Sequence, residues 1–564
     1  MAFEKEMNII LFLLCVTCAV ATSGTMFSFD NIVYPKWLCY YFITAILAVL
    51  CTAKTLTCSK QCKSNATLHT PTVVLLAIVT LTLMLFKDYD ALANVAAFIF
   101  LLLYLSIKSH DECLCIEAAI IIAGMANSIA GLYQLAHGAS QITGMYDSHV
   151  GFSLSIVFAT IIIANYGFCK SKSMHARISC SVCILFFAFI IVKSESRIGV
   201  MSLALSLLPI VIKKKTILVP AIIVLLGVTL IFKSESTKGR YFIYKTTLSM
   251  FDSPQSIIVG RGKDGFRKSY MLYQAQELDS ESEKVKLRAD NIKHPLNEFL
   301  LLSVNYGVLF AILCATAIAL AWLKLRNIPL YGNLLLVIIV YSLFAYPFKY
   351  PVTWIILAWS MSHVKVWPQK EFNSNSLFLV FIYVAVSSVL FHCLIRSMNL
   401  HSRWTDAQNL CYIGLTGKAM CIYESISKRY PTDIFQYNYA SFLNKHGMSG
   451  KAKVEISKCK ITDYDTQMLR GDISAANRQS QQALHYYMQA SRMCPNRFAP
   501  LYSMLCIYDM TENKKMRNIV AYKILKKKVK IESAEINVIK RKAKESLLQS
   551  PSCRRKKNNT NYSH

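Results

Sequence analysis

Long apolar runs follow one another so closely over residues 1–396 that they set what this chain can become. At 1.5 Å per residue, a helix of about 20 apolar residues crosses about 30 Å of hydrocarbon. Runs near 8–29, 37–53, 72–87, 91–107, 114–133, 149–168, 179–193, 198–212, 216–232, 295–323, 330–346, 351–364 and 375–396 have this character. They predict an all-α polytopic membrane protein of about 12–13 spans, several of them short for a straight crossing. Composition agrees: of 564 residues, 54% are hydrophobic and only 17% charged. The opening FEKEMNIILFLLCVTCAVATSG resembles a cleaved signal peptide with a processing site at Ala19 to Ala21. Because further spans follow at once, it is read as a first span that stays in place.

Charge decides sidedness. With the N-terminus cytoplasmic, the inside loops hold Lys54, Lys60, Lys63, Lys108, Lys170, Lys172, Arg177, Lys213, Lys214, Lys215, Lys324, Arg326, Lys365 and Lys370. The short outside loops hold only Lys36, Lys87, Lys193, Arg197 and Lys349. This is the positive-inside bias, and it places the polar stretch 233–293 outside, with the C-terminal domain on the same side by span parity. The formal charge of +30 does not point to nucleic acid, because no basic stripe with interleaved aromatics accompanies it. It suits topology signals, anionic lipids and diphosphates. The 19 cysteines are scattered, many inside spans (Cys15, Cys18, Cys39, Cys183, Cys314), and read as small apolar filler.

Residues 397–550 are polar and helical in pattern, followed by a disordered basic tail, 551–564. AMCIYESISKRYP (419–431) aligns with ALHYYMQASRMCP (483–495) at alanine, at tyrosine four later and at proline twelve later. Paired helices with these marks resemble tetratricopeptide repeats, and the offset is nearer two such repeats than one. A generic helical bundle is the plainer alternative.

Three polar features crowd the outer face. Arg197 begins an apolar span, a position that also suits a snorkelling anchor. The stretch GRYFIYKTTLSMFDSPQSIIVGRGKDGFRKSYM carries Arg240, Lys245, Arg261, Lys263, Arg267 and Lys268, which a solvated loop would equally tolerate. His294, Asn297 and Glu298 open the span HPLNEFLLLSVNYGVLF, where a helix cap with Pro295 in the first turn is the simpler reading. Two other patterns carry no site. Gly260, Gly262 and Gly265 form a GxGxxG without the strand-turn-helix unit a dinucleotide needs, so they read as a tight turn whose amides could meet phosphate oxygens. The triplets Asp88 to Asp90 and Asp463 to Asp465 have no partner ligands nearby in sequence.

Taken in order, the span led by SR, the loop R…Y…S…P…G.G...F and the span led by H..NE-F-L-L-L resemble the O-antigen ligase/polymerase family of bacterial membrane glycosyltransferases. The likeness covers roughly 190–365, and GLYQLAHGASQITGMYDSHVGFS (131–153) resembles an earlier family segment. It implies a GT-C-like helical bundle in the bacterial inner membrane. It also implies transfer of an undecaprenyl-diphosphate-linked glycan to an acceptor hydroxyl at the periplasmic face, without metal or other cofactor. Arg197 and Arg240 then face the lipid diphosphate, with Arg261 beside them, and His294 falls on the histidine motif. Many members place a histidine immediately before the asparagine, where this chain has Leu296.

The residues suit that chemistry. Diphosphate is a good leaving group, so the donor needs charge neutralisation, which the planar arginine fork supplies. An acceptor hydroxyl needs a base, and His294 titrates near neutrality. Glu298, one helical turn from His294 so that both face one cleft, is the second candidate, and Asn297 would orient His294 or a sugar hydroxyl. The leading reading is an O-antigen ligase with a lipid A core acceptor. A surface-polysaccharide polymerase or a protein O-oligosaccharyltransferase would use the same parts. The C-terminal repeats would hold an acceptor or a protein partner. A lipid-linked sugar transporter is the alternative from another class, and should show repeated spans and midplane charges.

Overall fold

The computed structural model describes residues 2–23, 30–57, 70–106, 110–211, 234–364 and 376–548. The apolar run 216–232, the tail 551–564, and Lys60, Lys63, Lys108, Lys213, Lys214, Lys215, Lys365 and Lys370 lie outside the described residues. The described chain is helical with no strand. Seven of its helices are long and apolar enough to cross a membrane, and four shorter apolar ones accompany them. The protein is an all-α, multi-pass membrane protein. It divides into two compact units, Met1–Ser234 with Leu296–Ala419, and Glu235–Pro295 with the chain from Met420 on.

The first unit is built around His149–Ala164, in which every residue from Val150 to Ala164 is buried. Helices His110–Ala136, Met174–Lys193, Arg197–Val211 and Pro329–Phe344 pack on it. Small residues set the spacing: a Cβ on Gly124 would lie 2.3 Å from that of Ala159. This is how apolar helices approach closely when lipid gives no hydrophobic drive between them. Cys15 and Cys18 are fully buried in the same core, as small filler. Val182, Leu185, Leu309 and Phe381 instead point outward at 61–70% exposure. In water such a surface would aggregate, whereas hydrocarbon solvates it.

Two boundaries differ from the sequence reading. The span expected at 295–323 does not begin at Pro295: Asn297 caps the helix Glu298–Tyr306, Gly307 breaks it, and Val308–Leu325 continues. Gly307 has φ +94°, a backbone that disfavours any side chain. The last span does not end at 396, because Ser376–Tyr412 is one helix of 37 residues, about 55 Å long. The polarity that begins around Arg396 marks a change of surroundings and not a helix end.

The second unit joins two segments treated separately in the sequence. Helix pairs Asp433–Lys445 with Ser449–Lys458, Tyr464–Ala476 with Ser480–Met493, and Ala499–Met510 with Lys514–Lys526 follow in order, then Ala534–Leu548. The echoing Tyr423 and Tyr487 are both 3% exposed, and a whole helix pair lies between the two copies. The segment expected to be an external loop, 233–293, carries four helices: Ser234–Leu248, Pro254–Ile258, Gly265–Asp279 and Glu283–Arg288. It is packed on the helix Ser480–Met493. Gln274, 1% exposed, donates to the carbonyls of Asp290 (2.9 Å) and Met493 (2.8 Å). Arg497 pairs with Asp290 at 2.8 Å, Asn291 donates to Asp465 at 2.9 Å, and Arg492 pairs with Asp279.

Residues 235–295 and the helix pairs belong to one compact unit, which a bilayer cannot divide. A topology reporter inserted at Ser280 and a second fused after Leu548 are therefore expected to give the same readout. Opposite readouts would overturn the joint unit.

Candidate functional site

Arg197 owes its position to a buried hydroxyl cluster in the first unit. Ser196 caps the helix Arg197–Val211, its Oγ accepting from the Gly199 N–H at 3.2 Å. That hydroxyl also meets Ser153 Oγ at 2.7 Å, and Ser153 meets Tyr341 OH at 2.9 Å. All three residues are at most 1% exposed. The half-buried Arg197 side chain thus starts a helix of 15 residues. Its helix opens with the positive end of the dipole at the same place, where anions are favoured.

Asn297 and Glu298 belong to the same unit. Asn297 Oδ1 accepts from the Leu300 N–H, and its Nδ2 donates to the Leu343 carbonyl, both at 3.0 Å. Its amide is committed at both ends, which is the capping role. Glu298 is 6% exposed, and its Oε1 accepts from the Phe348 N–H at 3.3 Å. The turn that provides this amide, Pro347–Lys349, separates Pro329–Phe344 from Pro351–Met361. Its carbonyls are met by Thr353 Oγ1 (to Pro347, 2.7 Å) and Trp354 Nε1 (to Phe348, 3.1 Å).

The same turn leads to residues that sequence reasoning passed over. Lys349 pairs with Asp147, and Tyr350 OH donates to Asp147 at 2.9 Å and meets Ser148 Oγ at 2.8 Å. Trp37 Nε1 donates to the Lys349 carbonyl at 3.0 Å. Lys36, counted in sequence as a loop charge, is fully buried. Its ammonium donates to the carbonyls of Ala21 (2.7 Å), Ile32 (2.8 Å) and Met145 (2.8 Å) and lies 5.0 Å from the Tyr146 ring centre. Its one visible signal was a lysine placed right after a proline at the head of an apolar run.

His294, Arg240 and Arg261 belong to the second unit. His294 precedes the helix instead of starting it, and Leu296, at φ +57°, separates it from the Asn297 cap. The one-turn relation between His294 and Glu298 expected from sequence therefore does not hold. Arg261 has a structural task. Its guanidinium donates to the Met250 carbonyl (2.7 Å), Asp252 (2.8 Å) and Tyr273 OH (2.6 Å), closing the loop before the Gly260 and Gly262 turn. Both glycines have φ near +80° (81° and 80°), as a tight turn requires. Tyr273 and then Arg261 hold the Asp252 carboxyl below its ordinary range, so what this contact adds to stability is present at neutral pH and is lost as acid protonates it. Lys245 bridges Glu281 (2.8 Å) and Glu277 (3.2 Å). Arg240 is half-buried on Ser234–Leu248.

The two aspartate triplets are caps. Asp88 accepts from the Ala91 N–H (3.2 Å) and from Tyr306 OH (2.6 Å), and Asp463 forms a capping box with Thr466. Among the described residues no group of three or more His, Cys, Asp or Glu is placed to hold a metal ion.

Lys36→Met leaves three half-buried carbonyls without their donor, and hydrogen bonds to a charged group contribute about 1.5–3 kcal/mol each. The variant is expected to lose about 3 kcal/mol or more, read as a lower unfolding temperature in detergent. An unchanged melting curve would remove Lys36 from the framework of the site. No protein-family model matches the chain, and no curated protein matches it either.

Proposed function

We propose that the chain transfers a glycan from an undecaprenyl-diphosphate carrier to an acceptor hydroxyl at the outer face of a bacterial inner membrane, as an O-antigen ligase does. The observation that carries the reading is Arg197, half-buried as the first residue of a membrane helix whose cap, Ser196, is fixed by Ser153 and Tyr341. In the reaction the acceptor oxygen attacks the anomeric carbon and the bond to the diphosphate breaks. The diphosphate leaves with the electron pair, and the hydroxyl proton passes to a base. Arg197 neutralises the leaving phosphate through its fork, in surroundings where such contacts strengthen. Glu298, a buried carboxylate of the same unit, is one candidate base. For His294, the other, and for Arg240, the assignment rests on the order of motifs in the sequence. Arg261 is withdrawn from the donor set, because its donors close the loop on itself. The repeats of the second unit, tetratricopeptide-like in this reading, hold the acceptor or a protein partner.

In proteoliposomes supplied with undecaprenyl-diphosphate-linked glycan and lipid A core, Arg197→Lys is expected to reduce transfer at least tenfold, because the charge remains and the bidentate grip does not. Full activity would return Arg197 to the role of an anchor. His294→Ala and Glu298→Gln separate the bases. General-base removal reduces the rate by about 10²–10⁴-fold, so only the variant of the true base falls that far while its unfolding temperature is kept. If neither falls, the transfer reading itself fails.

EDTA is expected to leave transfer unchanged. Inhibition reversed by magnesium would contradict the metal-free step.

A further inference from the structure

The last helices of the second unit carry a face with no task in glycan transfer. Between Lys514 and Leu548 there are twelve Lys and Arg against three Glu. On Lys514–Lys526, the residues Lys515, Ile519, Tyr522, Lys523 and Lys526 fall at helical spacing, and all five are exposed. The opposite side, with Arg517, Val520, Ala521 and Ile524, is buried against Ala499–Met510 and Ala534–Leu548. The exposed stripe is therefore no unfinished core. Tyr522 is 61% exposed, and beyond the helix Ile531 reaches 74%, next to exposed Lys528 and Lys530.

We infer that this stripe docks on anionic lipid headgroups, with its lysines on phosphate and Ile519, Tyr522 and Ile531 entering the interface. Apolar anchors on one stripe flanked by lysines are the pattern of a surface-lying amphipathic helix. A purely solvated face would have the charge without the exposed isoleucines. Charge complementarity names the lipid: each lysine near an anionic surface gains from its negative potential, while a zwitterionic surface offers none. The membrane spans of the same chain keep a bilayer at hand, so weak individual contacts suffice.

The test uses the full chain in nanodiscs of phosphatidylcholine, with or without phosphatidylglycerol, read by amide hydrogen exchange. Exchange over 514–532 is expected to slow by about fivefold or more when phosphatidylglycerol is present, and to recover in high salt. Lys523→Gln, Lys526→Gln, Lys528→Gln and Lys530→Gln together should abolish the response and leave the unfolding temperature unchanged. Equal exchange in both lipids overturns the inference. Slowing that appears only on adding an acidic peptide, with no response to lipid, also overturns it and assigns the stripe to an acidic protein.

Discussion

The first unit depends on a lysine that has left water altogether. An ammonium without partners inside a membrane protein is strongly unfavourable, so Lys36 is tolerable only because its three donors meet the carbonyls of Ala21, Ile32 and Met145. Those carbonyls come from the end of the first helix, the turn before the second, and the segment leading to the central helix. One charge thereby ties three connections, and Tyr146 adds its ring face. The neighbouring Asp147 takes Lys349 and Tyr350, which fixes the Pro347–Lys349 turn, and that turn presents the Phe348 amide to Glu298. The position of the buried carboxylate thus traces back, bond by bond, to a lysine 262 residues earlier in the chain.

How much of this the sequence disclosed depends on range. Arg197 as the start of a span was legible, because a charge beside a continuous apolar run is a local signal, and the helix begins at that residue. The run from 295 to 323 hid its own break. Apolarity is continuous across Gly307, and Pro295 imitates a first-turn proline, while the true cap is Asn297 two residues on. Position 397 misled for the complementary reason, since composition reports the surroundings of a helix and says nothing of its hydrogen-bond ladder. Lys36 was least legible. Nothing in PKW announces that a carbonyl 109 residues away, at Met145, will receive the ammonium.

The candidate site residues divide by the same logic. Residue type alone made Arg261 resemble Arg197, yet a guanidinium has five donors, and the fold decides who receives them. Around Arg261 the Met250 carbonyl, Asp252 and Tyr273 stand within a short stretch of chain and take them locally. The turn that brings them together is set by Gly260 and Gly262, so the glycine pattern that imitates a nucleotide loop serves here to fold an arginine back on its own segment. Asn297 shows the same economy: an amide that sequence offers as a catalytic partner is taken up by the Leu300 N–H and the Leu343 carbonyl.

The union of 235–295 with the repeats constrains topology without counting a single lysine. The chain leaves the second unit at Pro295, runs through Glu298–Tyr306, Val308–Leu325, Pro329–Phe344, Pro351–Met361 and Ser376–Tyr412, and returns to it after Ala419. Both ends of that excursion belong to one compact unit, so an even number of complete crossings between them is expected. An odd crossing would have to pull Gln274 from the Met493 carbonyl and Arg497 from Asp290, breaking a buried hydrogen bond and an ion pair. Loop charges bias insertion by an amount that long domains can override, whereas this condition follows from contacts formed after insertion. Any topology for the protein must therefore satisfy the second unit first, and the positive-inside count then has only the choice of face left to make.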